Sequence, residues 1–199
     1  MRLVVAMTGA SGAMLGIRLL ERLRDVPSVE THLVISRWAR QTIRLEGTRT
    51  ASEVASLADY VHHPEDQAAP ISSGSFLSAG MVIVPCSMKT RAGSWTGFAD
   101  GLITRAADVT LKERRKLVLV VRETPLSEIH LESMLILARM GVSILPPVPA
   151  FYAMPSTIED MVDNFVARVL DQFGVAVPGA RRWAGAEPAL ELVKQAELD

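Results

Sequence analysis

Two short segments of the chain combine small and hydroxyl-bearing residues in an order that suits phosphate binding. They are Thr8–Gly12 and Cys86–Thr90, and each follows an apolar run. Small side chains let backbone N–H groups approach a phosphate, and a helix that begins there adds the positive end of its dipole. Neither segment has the GxGxxG spacing of a dinucleotide fingerprint. A tight packing turn at the first segment and an N-capped helix at the second are alternatives that the residue types leave open.

The residues after the second apolar run bear on which nucleotide could bind. A nicotinamide dinucleotide requires an acidic residue there, to hold the ribose hydroxyls. The chain has Ser36 and Arg37 at that point, which disfavours NAD, although an arginine still suits NADP. A mononucleotide needs only one phosphate site, which the two polar segments can provide.

Charged residues in the second half of the chain form two groups with possible chemical roles. Arg105 and Lys112 lie seven residues apart on one predicted helix face, with Asp108 between them. An exposed ladder of ion pairs is the alternative to a chemical role for this group. Arg122 and Glu123 directly follow an apolar run, where a charge is costly unless it is paired or used. A structural Arg–Glu pair is the alternative for this second group.

Several other kinds of chemistry find no support in the sequence. His62 and His63 have no partner at metal-ligand spacing, and His32 and His130 are isolated, so we predict no metal site. Cys86 is the only cysteine, which excludes an intramolecular disulfide and fits a reducing compartment. Because no base can be paired with it from the sequence, we interpret Cys86 as a small residue at the edge of the core. The sequence contains no GxSxG nucleophile motif.

The composition is typical of one soluble domain. The chain has 199 residues, of which 49% are hydrophobic and 22% charged, so we expect a single core. The formal net charge of −1 gives no general attraction to nucleic acid or to anionic lipid. No uncharged apolar window is long enough to span a membrane, and the apolar run at the N-terminus is too short for a signal peptide. We therefore predict a cytoplasmic protein that binds neither nucleic acid nor membranes.

The elements that must position these residues follow from the apolar periodicity. Five apolar runs alternate with amphipathic helices, which is typical of a parallel sheet covered by helices on both faces. The predicted strands are Leu3–Met7, His32–Ile35, Met81–Val84 (closed by Pro85), Leu117–Val121 and Val142–Leu145. We predict an α/β fold with one doubly wound parallel sheet, formed by a single domain over residues 1–199, with a C-terminal tail from about residue 178. Ligands bind beyond the carboxyl ends of such strands, where the polar segments lie.

The last two helices are predicted from apolar stripes. One stripe has helical spacing and ends at Gly141; its members are Leu131, Met134, Leu135 and Ala138. A capping box at Ser156-x-x-Glu159 opens the final helix, whose stripe starts at Ile158. Residues 47–80 are the least regular part of the chain.

Taken in order, the motifs of this chain resemble the flavin prenyltransferase (UbiX) family over nearly the whole length. They are Thr8-Gly-Ala-Ser-Gly12, Ser72-Ser-Gly-Ser-Phe76, Pro85-Cys-Ser-Met-Lys-Thr90, Arg105-Ala-Ala-Asp-Val109, Leu111-Lys-Glu-Arg-Arg115, Arg122-Glu-Thr-Pro-Leu126, Pro149-Ala-Phe-Tyr152, Leu170-Asp-Gln-Phe173 and Arg182-Trp183. The first motif alone is common, whereas LKERR, RETPL and PAFY in this order and spacing are specific. The resemblance implies a Rossmann-like flavoprotein fold and a homo-dodecamer whose active sites are completed between subunits.

The resemblance also implies an activity, the transfer of a dimethylallyl group to reduced FMN. One bond forms at flavin N5 and a second at C6, which closes a fourth ring. The prenyl donor is dimethylallyl phosphate, or the diphosphate in some members, and no metal is required. The product, prenylated FMN, is the cofactor of a partner UbiD-type decarboxylase, which serves either ubiquinone biosynthesis or aromatic-acid breakdown.

The family's functional positions carry over to individual residues of this chain. The FMN-binding positions are Gly9, Ala10, Ser11, Ser36, Ser87, Met88, Lys89, Thr90 and Arg122. The positions that hold the prenyl phosphate are Tyr152 and Arg168, with Arg105 and Lys112 nearby. The positions implicated in catalysis are Glu123, Glu46, Ser11, Lys112, Arg105 and Trp183.

The residue types at these positions suit the expected reaction. Arg105, Lys112 and Arg168 would neutralise the departing phosphate without a metal. Glu123 would protonate that phosphate. Trp183 would stabilise the allylic cation through its π-face. Two other functions stay open, a non-catalytic FMN-binding accessory subunit of an aromatic-acid decarboxylase and an oxidative cysteine decarboxylase. Both leave the prenyl-phosphate positions without a role.

Overall fold

A parallel sheet of six strands forms the centre of the described protein. The structure is a computed structural model, and it describes residues 1–183 and 185. The strands are β1 (Arg2–Met7), β2 (Glu30–Ile35), β3 (Tyr60–His62), β4 (Gly80–Cys86), β5 (Lys116–Val121) and β6 (Ser143–Ile144). Their order in the sheet is β3-β2-β1-β4-β5-β6, and every neighbouring pair is parallel. The predicted α/β class with a parallel sheet is therefore confirmed.

Seven helices in the described residues cover the two faces of this sheet. They are α1 (Ala13–Arg24), α2 (Arg37–Glu46), α3 (Ala51–Ala55), α4 (Met88–Thr96), α5 (Leu102–Lys112), α6 (Glu128–Arg139) and α7 (Ile158–Asp171). The apolar residues of α1, α2, α3 and α7 pack into one core cluster. Those of α4, α5 and α6 pack into a second cluster on the opposite side. We refer to these two sides as the first and second face of the sheet, which is doubly wound as predicted.

The strands are continuously apolar because both faces of the sheet are covered. Along β1, Leu3, Val5 and Met7 enter the first cluster, whereas Val4 and Ala6 enter the second. All five are at most 3% exposed. Burial of one aliphatic side chain contributes roughly 1.5–3 kcal/mol, so a strand without a polar side is favoured only in such a three-layer arrangement.

The sheet reverses its winding between β1 and β4, and Thr8 holds the two strand ends together. The Thr8 hydroxyl donates to the Pro85 carbonyl at 2.8 Å and accepts from the Ser87 N–H at 2.8 Å. The prediction that Pro85 closes the strand was wrong, since β4 continues through it to Cys86 with an irregular register. Such a reversal opens a crevice beyond the carboxyl ends of the strands.

Two predicted details of secondary structure need correction. β3 was missed because it has only three residues, and two of them, Tyr60 and Val61, are exposed. The cap of α7 is Thr157 with Asp160, one residue beyond the predicted pair, and the Ser156 hydroxyl also donates to the Asp160 carboxylate at 2.7 Å. These hydrogen bonds lower the pKa of Asp160 to about 2.

The predicted apolar stripe of α6 lies only in part against the core: Met134 packs on the second cluster, whereas Leu131, Leu135 and Ala138 are exposed. The helix is present, but Leu131 and Leu135 are 53% and 52% exposed, and Leu137 is the apolar residue buried on this helix. Ile158 at the start of α7 is likewise exposed. No helix among the described residues is both long and apolar enough to cross a bilayer. Of the predicted tail, residue 184 and residues 186–199 lie outside the described residues.

Candidate functional site

A cavity of about 700 Å³ opens where the sheet reverses, beyond the carboxyl ends of β1, β2 and β4. This volume falls within the range of small-molecule sites. Its lining includes Gly9, Ser36, Ser87, Lys89 and Thr90 from the predicted FMN-binding positions, together with Thr8, Arg37, Trp38, Pro64, Glu65, Ala92, Gly93, Thr96, Phe98, Asp100, Gly101, Ile103 and Thr104. The walls therefore combine hydroxyl groups, basic groups and aromatic rings.

Two helix N-termini with serine caps face this cavity. The Ser36 hydroxyl accepts from the N–H of Ala39 at the start of α2, at 3.1 Å. The Ser87 hydroxyl accepts from the N–H of Thr90 at the start of α4, at 3.4 Å. The N-capped helix that the sequence left open at this segment is thus present. Because both dipoles direct their positive ends here, this part of the cavity suits a phosphate.

The first polar segment contributes less to the cavity than the sequence suggested. The first N–H groups of α1, from Gly12 and Ala13, donate to the Glu46 carboxylate at 2.9 and 2.8 Å, so a carboxylate already satisfies them. Gly9 lines the cavity, and a Cβ there would lie 2.5 Å from the Cβ of Trp38, which leaves no room for a side chain. Ala10 and Ser11 adjoin Gly9 without lining the cavity.

Arg122 and Glu123 lie at the same edge of the sheet, at the end of β5. The Arg122 N–H donates to the Cys86 carbonyl at 3.3 Å, which places Arg122 beside the start of α4 and the neighbouring Met88. Both side chains are exposed. The proposed structural pair is absent, because no ion pair joins Arg122 to Glu123 in the described part of the chain. The Glu123 carboxylate accepts instead from the N–H of Thr124 at 3.1 Å.

Arg105 and Lys112 lie on α5, against the second face of the sheet. The Arg105 guanidinium donates to the Ser72 carbonyl at 3.1 Å and to the Asp108 carboxylate at 2.7 Å. Lys112 pairs with Glu113 at 2.5 Å. Both basic groups retain partial exposure, with 35% and 46% of their side chains accessible. They are therefore neutralised in part but remain open to an anion.

Tyr152, Arg168 and Trp183 belong to a group of side chains beside α7, which packs on the first face of the sheet. The Tyr152 and Trp183 rings contact edge to face, with centroids 5.6 Å apart and planes at 76°. The Arg168 guanidinium donates to the Asp171 carboxylate at 2.7 Å, and Arg182 binds the same carboxylate. We call these five residues the α7 cluster.

The two groups of predicted phosphate-binding residues do not come together within one chain. The apolar residues of α5 pack into the second face, and those of α7 pack into the first, so the sheet separates the two helices. The basic residues of α5 and the α7 cluster thus lie on helices that cover opposite faces of the sheet.

The structure corrects the prediction that His32 is isolated. Its ring lies 3.0 Å from the His62 ring nitrogen and 2.9 Å from the Glu30 carboxylate, and it stacks on Tyr60. The described residues contain no group of three side chains suited to a metal ion. Cys86 is fully buried, and burial raises the pKa of its thiol to about 12, in agreement with its interpretation as a core residue.

Three cavity residues were missed as site residues by sequence reasoning. Trp38 and Phe98 are 71% and 68% exposed at the cavity mouth, and Arg37 lies between Ser36 and Trp38. The sequence interpretation uses Arg37 only to judge whether NAD or NADP could bind, and does not predict it as a site residue. Large exposed aromatic side chains beside a polar cavity commonly contact a ligand. The position of Trp38, directly after a strand-end serine and arginine, was the available signal.

The flavoprotein family model matches residues 1–170 of this chain. The probable UbiX-like flavin prenyltransferase of Streptomyces sp. (strain D7) is 67% identical over 189 residues, covering 95% of this chain and 94% of that protein. The crystal structure of a dodecameric FMN-dependent UbiX-like decarboxylase from Escherichia coli O157:H7 superimposes with a TM-score of 0.92 at 63% identity, covering 93% of this chain and 100% of the other. The structure of AnUbiX in complex with FMN and dimethylallyl pyrophosphate gives a TM-score of 0.91 at 59% identity, covering 94% and 98%.

Proposed function

Because this chain belongs to the flavoprotein family and is a UbiX-type flavin prenyltransferase, we propose that it transfers a dimethylallyl group from dimethylallyl phosphate to N5 and C6 of reduced FMN. The observation that carries the proposal is the placement of a mononucleotide-sized cavity at the sheet reversal together with two sets of basic groups that lie outside it. A flavin carrier would need the cavity alone.

The residues of the cavity fit FMN. Ser36, Ser87 and Thr90, with the N-termini of α2 and α4, offer hydroxyl and N–H donors to its phosphate. Lys89 adds a cation whose side chain is 90% exposed and lies 3.9 Å from Asp100. The apolar part of the lining, which includes Trp38, suits the flat ring. Ala10, Ser11, Met88 and Arg122 adjoin this cavity and keep their proposed role as FMN contacts.

The basic residues suit the leaving phosphate of the donor. Reduced FMN, when bound, would supply N5 for the bond that replaces the C–O bond to the phosphate and C6 for the second bond. The protons of N5 and C6 would be released, and the dimethylallyl double bond and the phosphate would each take one up. Arg105, Lys112 and Arg168 would neutralise the phosphate in place of a metal, with Tyr152 as a hydrogen-bond donor. Glu123 would hold the proton that the phosphate takes up, and Trp183 would face the cationic carbons. Ser11 and Glu46 lie where the glycine turn meets α1 and complete the proposed catalytic set.

The active site is proposed to form between copies of the chain. The separation of α5 from α7 by the sheet supports this arrangement, because both helices carry residues for one phosphate. The exposed side chains of Leu131 and Leu135 on α6 support it further, because no residue of the described part of the chain covers them. The dodecameric neighbour from Escherichia coli suggests the assembly.

Complementation between two inactive variants tests the shared site. We expect Lys112→Ala and Arg168→Ala each to lose most activity as pure proteins. When the two are co-expressed with different tags and assemble at random, about one quarter of the sites contain both intact sets, so about one quarter of the wild-type activity should return. Activity is followed as the mass gain of C5H8 on FMN after anaerobic incubation with dimethylallyl phosphate.

The matched control combines Arg168→Ala with Tyr152→Ala. Both residues belong to the α7 cluster of one chain, so no site in the mixed assembly regains an intact cluster and no activity should return. Recovery in the control, or none in the first pair, would overturn the shared site. Unmodified FMN with wild-type protein, with the diphosphate tried as well, would overturn the prenyl transfer itself.

We further propose that the product leaves for a UbiD-type decarboxylase and that no metal takes part. Addition of the incubation product to an apo-decarboxylase of that type should restore its activity, whereas FMN alone should not. Dialysis against EDTA should leave the prenyl transfer rate unchanged if the arginine and lysine side chains take the phosphate charge. A rate that falls on dialysis and returns with a divalent cation would contradict the metal-independent step.

A further inference from the structure

Residues 181–183 run back along α7 and are held there by side-chain hydrogen bonds. The Arg181 guanidinium donates to the Ala153 carbonyl at 2.6 Å. The Asn164 amide donates to the Arg181 carbonyl at 3.1 Å. The segment is thereby docked on α7 and on the turn that contains Tyr152.

Asp171, at the last turn of α7, makes the strongest contact with this segment. Its two carboxylate oxygens accept from the two terminal nitrogens of Arg182, at 2.6 and 2.8 Å, in a bidentate pair. One of these oxygens also accepts from Arg168 at 2.7 Å. Only 17% of the Asp171 side chain is exposed. The hydrogen bonds from Arg182 are the main reason why the pKa of this carboxyl is lowered.

One carboxylate thus fixes two residues that the proposed site uses. Arg168 is oriented by it directly. Trp183 follows Arg182 in the chain, so the bidentate pair also sets where the indole meets Tyr152, at 5.6 Å between ring centroids. Bidentate pairs define direction as well as distance, because both parallel bonds must form together.

We propose that Asp171 is a positioning residue of the prenyl-phosphate site, which orients Arg168 directly and Trp183 through Arg182. The inference rests on the proposed function, since it assigns a purpose to Asp171 only if Arg168 and Trp183 act on the prenyl donor. Asp171 itself does not touch the donor in this arrangement, because its oxygens are occupied by the two guanidinium groups.

The net charge of the α7 cluster allows kinetics to distinguish a positioning role of Asp171 from a role of its charge alone. Asp171 offsets one of two positive charges, so Asp171→Asn makes the cluster more positive. If Asp171 acted only through its charge, the variant would bind the anionic donor more tightly and KM would fall. If Asp171 acts by positioning, Arg168 and Trp183 lose their orientation in the variant, and kcat/KM falls by about 10- to 100-fold.

Asp163 provides a matched control on the same helix. Its carboxylate also joins two arginines, Arg18 at 3.0 Å and Arg22 at 2.9 Å, which belong to α1. Asp163→Asn therefore makes the same change in charge and loses the same kind of ion pairs, but the arginines that it releases are outside the α7 cluster. We expect it to leave kcat/KM for dimethylallyl phosphate within about twofold of wild type.

The experiment compares steady-state kinetics of both variants with FMN affinity and thermal unfolding. A loss in kcat/KM for Asp171→Asn, with FMN affinity unchanged and the control unaffected, would support the proposal. A lower KM, or equal losses in both variants, would overturn it. If Asp171→Asn does not fold, Asp171→Glu serves instead, because it keeps the charge and displaces the carboxylate by one methylene. Wild-type activity in that variant would also overturn the proposal, whereas an inactive wild-type protein would instead refute the proposed function.

Discussion

Glu46 holds the N-terminus of α1, and its removal should have a measurable cost in stability. Its position at the last residue of α2 is unfavourable for that helix, because an anion there meets the negative end of the dipole. Its carboxylate instead accepts from the Gly12 and Ala13 N–H groups at 2.9 and 2.8 Å. Loss of such a cap usually costs about 0.5–2 kcal/mol, and two bonds to a charged acceptor place Glu46→Ala at about 1–2 kcal/mol.

Glu46→Gln separates the charge from the hydrogen bond. It keeps one neutral acceptor, so we expect a loss of about 0.3–1 kcal/mol, the usual size of the helix-dipole term. For a domain of this length 1 kcal/mol shifts the melting temperature by about 2–4 °C, so the alanine variant should melt about 2–8 °C below wild type. The assay is urea and thermal unfolding, with the exposed Asp25 at the C-cap of α1 changed to Asn as control.

The same two variants separate a structural from a chemical role of Glu46. An alanine variant as stable as wild type would refute the capping argument. A glutamine variant that keeps nearly all its stability but loses prenyl transfer would show that the carboxylate also acts on the reaction. A fall in activity proportional to the fraction unfolded would leave only the structural role.

Three further predictions concern pH, the cavity and assembly. Because the folded-state pKa of Asp160 is lowered to about 2, its capping bonds should stabilise the fold fully above about pH 4 and be lost as the pH falls through 2. In urea unfolding, Asp160→Asn should therefore be less stable than wild type at pH 6, and this difference should shrink as the pH falls through 2. Gly9→Ala should weaken FMN binding at least about tenfold in a fluorescence titration, because its Cβ would meet Trp38 at 2.5 Å, and unchanged affinity would contradict the close approach. Leu131→Lys with Leu135→Lys should yield smaller species in size-exclusion chromatography, since both side chains are about half exposed in one chain, and an unchanged elution volume would contradict an interface at α6.

The sheet could be predicted from the sequence because its strands have no polar side. The run Leu117–Val121 is apolar at every position, and such a run is stable only when helices cover both faces. β3 could not be predicted, because Tyr60 and Val61 are exposed on an edge strand of three residues. The cap of α7 was placed one residue early because Ser156 and Thr157 are both good caps, and only the backbone geometry selects Thr157.

The candidate site was predictable in its residue types but not in its arrangement. The spacing of Arg105 and Lys112 shows that they share a face of α5, but it does not indicate which side of the sheet that helix covers. Nor does the apolar stripe of α6 distinguish a core face from an interface, since burial by the same chain and burial by another copy select the same residues. The order of the strands, which depends on long-range pairing, decides the first question.

The basic residues of α5 and α7 lie on opposite faces of the sheet, so turnover should depend on the concentration of subunits. The cavity that we propose for FMN is lined by residues of one chain, so we expect a dissociated subunit to bind the flavin. The prenyl donor, by contrast, would meet its full set of cations only where two subunits adjoin. Dilution should then abolish turnover before it abolishes flavin binding, and the donor should draw subunits together because it binds the assembled state alone.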